Sequence, residues 1–256
     1  MKKINTGGLK VLLVDFETAP NRAWVWGKYE QDVIDYDKET YILSFSYKWL
    51  GEKRVYGMGL CDYAKFKKDP EDDFDLVKDV YKIWCQADII IAHNGDDFDI
   101  KVANAAFIRN GFTPPNPVKT IDTKKIAKSK FKFNSNKLDD LGNRLGLGRK
   151  VETGGFKLWK GCMEGNKSAW KKMIRYNKND VILLEKVYLK IRPWATNHPN
   201  MNIMADHNSC SSCNSKNIEQ RGWTYTAVSR RKKFVCKDCG KWSSGRVEKL
   251  ENINLR

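Results

Sequence analysis

No stretch of the 256-residue chain approaches the roughly 18 consecutive apolar residues of a membrane span. Met1 to Lys10 has neither the apolar core nor the small-residue cleavage site of a secretory leader. A soluble, intracellular protein without a membrane partner is therefore expected. Acidic residues are in the minority, 31 Asp and Glu against 47 Lys and Arg, which leaves a net charge of +16. The sequence pI is about 9.4. Such an excess speaks for a polyanionic partner, of which nucleic acid is the commonest, over a charge carried only for solubility. The cysteines, seven in all, are not the even set of a secreted disulfide framework. Four of them form two Cys-x-x-Cys pairs, which fits reduced thiols used for metal.

What is present begins with Val11-Leu-Leu-Val-Asp-Phe-Glu-Thr18, bounded by Gly7-Gly8 and Ala19-Pro20. Four consecutive aliphatic residues predict a strand buried on both faces. Side chains alternate along a strand, so Asp15 and Glu17 share a face and Phe16 points into the opposite layer. Strand ends are often wet, and acids there can be ordinary surface residues. In a dry setting, however, paired carboxylates repel unless a cation neutralises them, and a divalent metal does so most directly.

Downstream, Asn21 to Thr40 is a polar connection holding Trp24, Trp26 and Tyr29, readable as a substrate-facing flap or as a loop packed down by its rings. Tyr41–Trp49 and Arg54–Met58 predict a hairpin, and Asp75–Cys85 a helix with an acidic N-terminal flank. Asp88–Ala92 predicts a second buried strand, 97–109 a helix stopped by Asn110-Gly111, and Val118–Asp122 a short strand. Short and long helices are expected at Leu138–Leu145 and Ser168–Tyr188. This order gives an α/β plan with a mixed sheet. The pattern breaks at Pro193–Pro199, which divides a domain over residues 1–195 from a small module over 203–256.

Two further acids follow comparable elements. Asp99 comes after His93-Asn94-Gly95 on the first turn of the expected helix, and Asp180 lies four residues beyond Tyr176, on the same face of the long helix. The segments Asp15-Phe-Glu17, Asn94 through Phe98-Asp99, and Tyr176-x-x-x-Asp180 resemble the three motifs of the DEDDy (DnaQ-like) 3′–5′ exonucleases. The resemblance runs from Leu9 to Leu189 and includes Thr120–Thr123 and Leu138–Gly142. The sister subgroup has a His five residues before the last Asp, where this chain has Arg175. The resemblance implies a ribonuclease H-like mixed sheet flanked by helices. It also implies Asp15, Glu17, Asp99 and Asp180 as ligands of two Mg²⁺ or Mn²⁺ ions, Tyr176 as the group orienting the attacking water, and Asn94 as a substrate contact. Two-metal chemistry suits phosphodiester hydrolysis, with nucleoside 5′-monophosphates as product. Asp96 and Asp97 adjoin Asp99 and compete for its role, Asp122 reads as a helix N-cap, and His93 as structural.

Six lysines and no acids lie between Lys124 and Lys137, with Phe131 and Phe133 among them. Lys130, Phe131 and Lys132 either bind a nucleic-acid strand or form a solvated loop with anchoring rings. Thr153–Lys160 is another candidate loop. Cys210-x-x-Cys213 and Cys236-x-x-Cys239 read as a zinc ribbon with one structural Zn²⁺, His207 as a spare ligand, and Cys61, Cys85 and Cys162 as buried thiols. Between the pairs, Trp223–Thr226 and Arg230–Phe234 alternate like a hairpin, so that Arg230 and Arg231 are candidates for substrate contact. The expectation is a 3′–5′ exonuclease acting on DNA in preference to RNA, in the cytoplasm of a bacterial or phage-infected cell. A replication or repair protein is a possible partner, since no polymerase domain is present. The alternatives are an RNA-trimming enzyme and a nucleic-acid-binding protein without catalysis.

Overall fold

The computed structural model describes residues 4, 6–29, 32–204 and 208–248. Strand β1 (Val11–Thr18) lies at the centre of a five-stranded sheet, between β4 (Ile42–Trp49) on one side and β6 (Ile89–Ala92) on the other. The outer strands are β5 (Tyr56–Gly59), beside β4, and β7 (Lys119–Asp122), beside β6. The β1–β4 and β4–β5 pairs are antiparallel, and β1–β6 and β6–β7 are parallel. Burial of Val11 through Val14 on both faces explains the unbroken aliphatic run. Leu12, Val14 and Phe16 feed one apolar cluster with Phe45 and Trp84, while Val11 and Leu13 feed another with Ile89, Ile91 and Val181.

Two crossovers return the chain to the sheet, through α1 (Phe74–Trp84) and α2 (Asp99–Arg109). The latter begins at Asp99 rather than at 97, because residues 94–98 form a turn in which Phe98 N–H bonds to the Asn94 carbonyl. Gly111 adopts φ 76° after Asn110 and stops α2 as expected. Three short helices follow, α3 (Thr123–Lys130), α4 (Leu138–Arg144) and α5 (Phe156–Met163). The first turns half of the lysine-rich stretch into helix, and α5 replaces the loop expected over Thr153–Lys160. Gly154 and Gly155, at φ 83° and 74°, end that loop and open the helix, which buries Leu158 and Cys162 four residues apart.

The long helix α6 (Lys167–Ile191) starts at Asn166, whose side chain accepts the Ser168 and Ala169 N–H groups. It lies on the Asp15 face of the sheet, tied there by Ser44 Oγ donating to Asn177 and by a buried Lys48–Glu185 ion pair. The connection after β1 forms a small hairpin, β2 (Arg22–Trp24) with β3 (Asp35–Lys38). Its rings do not pack it down, since Trp24, Trp26 and Tyr29 are 66%, 90% and 74% exposed. Cys162 is buried as expected, but Cys61 and Cys85 are only half-buried.

After the short α7 (Met201–Met204), β8 (Ile218–Tyr225), β9 (Arg230–Cys236) and β10 (Trp242–Glu248) form a separate antiparallel sheet in the order β10-β9-β8. The connection after α6 folds back on that helix through a Tyr188 hydroxyl–His198 Nε2 bond of 2.8 Å, and α7 meets the first cysteine pair through Met201 N–H donating to the Ser211 carbonyl. Among the described residues no helix is long and apolar enough to cross a membrane.

Candidate active site

The alternation of β1 and the pitch of α6 bring Asp15, Glu17 and Asp180 together, each with a carboxylate oxygen within 4.8 Å of the others. Asp180 is 0% exposed, and its Oδ1 has no hydrogen-bond partner. Burial raises the Asp15 carboxyl well above its usual range, and the charges of Asp180, Asp99 and Glu17 push it the same way. Glu17 is lifted to about 7, chiefly by burial, with Lys150 pulling against the rise. Asp180 is raised by burial and held back by Lys150. Acids under such mutual strain call for a cation, and oxygen donors in this number suit Mg²⁺ or Mn²⁺.

Asp99 stands at the first position of α2, where its Oδ1 accepts the Phe16 N–H at 3.1 Å. It adjoins the other three without entering the 4.8 Å cluster, and burial lifts it to about 7. Tyr176 lies one turn before Asp180, 8% exposed, with its phenol raised by burial and by the neighbouring Asp180 charge.

Two residues that the motifs do not mark complete the centre. Lys150, on the loop between α4 and α5, donates to Asp180 Oδ2 at 2.6 Å and to the Tyr176 hydroxyl at 3.1 Å. Asn177, fully buried on α6, donates to Asp15 Oδ2 at 2.5 Å and to the Asp15 carbonyl at 3.1 Å. Asn177 thereby fixes the rotamer of the first acid. Its only sequence signal is its place beside Tyr176 on the inward side of the helix, and Lys150 has none.

The remaining acids are otherwise engaged. Asp96 pairs with Lys125 at 2.9 Å and Asp97 with Lys101 at 3.8 Å. Asp122 caps α3, accepting from Lys124 and Lys125 N–H, and also binds the Asn94 N–H. Asn94 adopts φ 68°, with its side-chain oxygen on Lys124 Nζ at 3.0 Å. His93 bridges Thr123 Oγ1 and the Asn136 carbonyl, and burial lowers its pKa to about 4, as befits a structural imidazole. The Phe131 ring stacks on Phe133 at 5.2 Å and meets Trp194 edge-on at 5.5 Å, so it anchors its loop while Lys130 and Lys132 stay exposed.

In the C-terminal sheet the four cysteines converge as free thiols, with Cys210–Cys239 and Cys213–Cys236 sulfur distances of 3.6 and 3.7 Å. These are too long for disulfides. Four sulfurs about 2.3 Å from one metal ion would lie about 3.8 Å apart, so the donor set fits tetrahedral zinc. Donation from Cys213 and Cys239 lowers the Cys210 pKa, while those partners are raised through the same bonds. His207 lies outside the described residues. Arg230 lies 4.3 Å over the Trp223 ring and 3.3 Å from Glu248, whereas Arg231 is exposed.

A mixed sheet whose central strand delivers acids to a helix-borne acid defines a ribonuclease H-like protein. Residues 30–192 match the RNase_H superfamily model RNase_H_2, and the chain belongs to that superfamily. No curated protein matches the chain. Among solved structures, the family B DNA polymerase of the hyperthermophilic archaeon Pyrobaculum calidifontis is similar over 86% of this chain, at 14% identity and a TM-score of 0.48. The match covers 31% of that polymerase, so the chain spans about a third of its length.

Proposed function

We propose that the protein is a metal-dependent 3′–5′ exonuclease of the DEDDy kind, which releases nucleoside 5′-monophosphates from DNA. The observation that carries this reading is the convergence of Asp15, Glu17 and Asp180, with a buried Asp180 oxygen left unpartnered. These three would hold two Mg²⁺ or Mn²⁺ ions, and Asp99, beside them, would complete the ligand set. Such ions, when bound, supply a hydroxide nucleophile and neutralise the leaving oxygen. Tyr176 stays protonated at neutral pH. Lys150 donates to the phenol oxygen and Tyr176 hydrogen-bonds Asp180, which places the phenol where it would orient an attacking water. Asn177 holds Asp15 in the rotamer the centre needs.

The domain over residues 1–195 carries this chemistry in our reading. The module over 203–256 is a ribbon folded around one structural Zn²⁺, and it engages nucleic acid through exposed Arg231 and its neighbours. DNA is taken over RNA as the substrate by analogy with small nucleases that carry such a ribbon. A replication or repair complex would be the natural setting. The reading is tested with matched DNA and RNA strands labelled at either end and incubated with Mn²⁺, Mg²⁺ or chelator. Laddering from the 3′ end of DNA, abolished by chelator, is the expected result. Preference for RNA would reassign the substrate, and tight binding without cleavage would leave a binding protein.

A further inference from the structure

The long helix carries more than Tyr176 and Asp180. On its solvent side, Lys171, Ile174, Arg175, Lys178 and Ile182 line a cleft of about 670 Å³, closed on the other side by Val151. Val151 also lines the cleft that holds Lys150 and Tyr176, so the two hollows share a wall. The positions 171, 175 and 178 fall on one stripe of a helix. No acidic residue lines this cleft, and among the described residues no ion pair is recorded for these three cations.

The cleft is also built rather than incidental. β5 has glycine at both places where α6 comes near. A Cβ at Gly57 would fall 2.7 Å from Lys178 Cγ, and one at Gly59 would fall 3.1 Å from Ile174 Cδ1. Their absence lets the Lys178 stem lie along the edge strand. On the far side, Lys172 Nζ donates to the Thr153 carbonyl at 2.9 Å and Asn179 to the Arg149 carbonyl at 3.3 Å, which fixes the loop carrying Val151 and Lys150. Three unpaired cations over an aliphatic floor match a sugar-phosphate strand, with amines on phosphates and methyl groups under the riboses.

We infer that this α6 cleft is a backbone track for nucleic acid, which holds the strand whose 3′ end lies in the carboxylate centre. The inference rests on the nuclease reading and names the path its substrate takes. The contacts are to phosphate, so the track is independent of base sequence.

The test measures binding of a labelled single-stranded DNA to the full chain with a divalent-ion chelator present, from about 50 to about 200 mM salt, the range over which phosphate contacts reveal themselves. Each phosphate neutralised on a single strand contributes about −0.7 to the slope of log K against log salt, so K171Q/R175Q/K178Q should reduce its magnitude by about 2. Affinity should drop at least about tenfold at the low-salt end, and K171R/R175K/K178R should restore it. The comparison is K78Q/K101Q/K119Q, exposed lysines on α1, α2 and β7 that do not line the cleft. Circular dichroism should show both neutralised variants folded. A wild-type slope in the first variant, or equal losses in both, would overturn the track while leaving the nuclease reading intact. Failure of the wild-type protein to bind that DNA, and an RNA of the same sequence run beside it, would overturn both together.

Discussion

Lys150 stands where a dry cluster of acids requires a positive charge. Its ammonium is drawn to Asp180 and Asp15, and its own pKa is raised once those attractions outweigh its burial. Lys150→Ala is expected to lower the melting temperature in chelator, by about 2–4 °C for each kcal/mol lost in a chain of this size. The same variant should gain more than the wild type when Mn²⁺ is added, because the ions replace a missing charge; equal gains would show that Lys150 does not neutralise the site. Glu17 gives a pH test. The folded state keeps its proton to about 7, whereas the unfolded chain releases it near 4.5, so its contribution to stability falls as pH rises between those values. In chelator, Glu17→Gln should therefore gain on the wild type from pH 5 to pH 7.5, as read by thermal unfolding. That Asp15 and Glu17 share one face of a strand, and Tyr176 and Asp180 one face of a helix, was legible in the sequence because strand alternation and helical pitch are local rules. Lys150 was not, since it is one of 47 basic residues and reaches the acids only through tertiary folding.

At the scale of elements, α6 is held to β4 by a charge pair of which neither member is more than 8% exposed, Lys48 with Glu185. Removing one partner leaves the other buried and uncompensated, so Lys48→Ala should lower unfolding free energy by about 3–5 kcal/mol. Replacing both with apolar residues, as in K48M/E185L, should recover most of that in denaturant titration. If the single variant were as stable as the wild type, the pair would be solvated in solution. Most strands and the long helices followed from hydrophobic period, and β1 and α6 appear within a few residues of their expected bounds. The helix α5 did not, because its two leading glycines mimic a loop and its buried residues are too few to show a period. The β2–β3 hairpin escaped for a different reason: its large residues face outward, so alternation there carries no inside–outside signal.

For the whole molecule, our reading predicts that the two parts depend on different metals. The apolar core of residues 208–248 consists of Cys210, Cys213 and Cys236 with Ile218 and Cys239 packed against them, too small to hold three strands alone. A strong zinc chelator should therefore expose this part to protease while residues 6–195 stay intact, and mass spectrometry of the digest would show it. Protection in the absence of zinc would mean that packing against His198 and Met201 suffices. The central claim concerns the other metal site. Its most direct test is the rate of nucleotide release at saturating Mn²⁺ by the wild type and by Asp180→Asn, which keeps the shape of the side chain and removes its charge. Loss of hydrolysis by about 10³-fold or more, with the fold retained, is expected where a carboxylate holds catalytic metal. Release by Asp180→Asn at the wild-type rate would contradict a metal centre built on Asp15, Glu17 and Asp180.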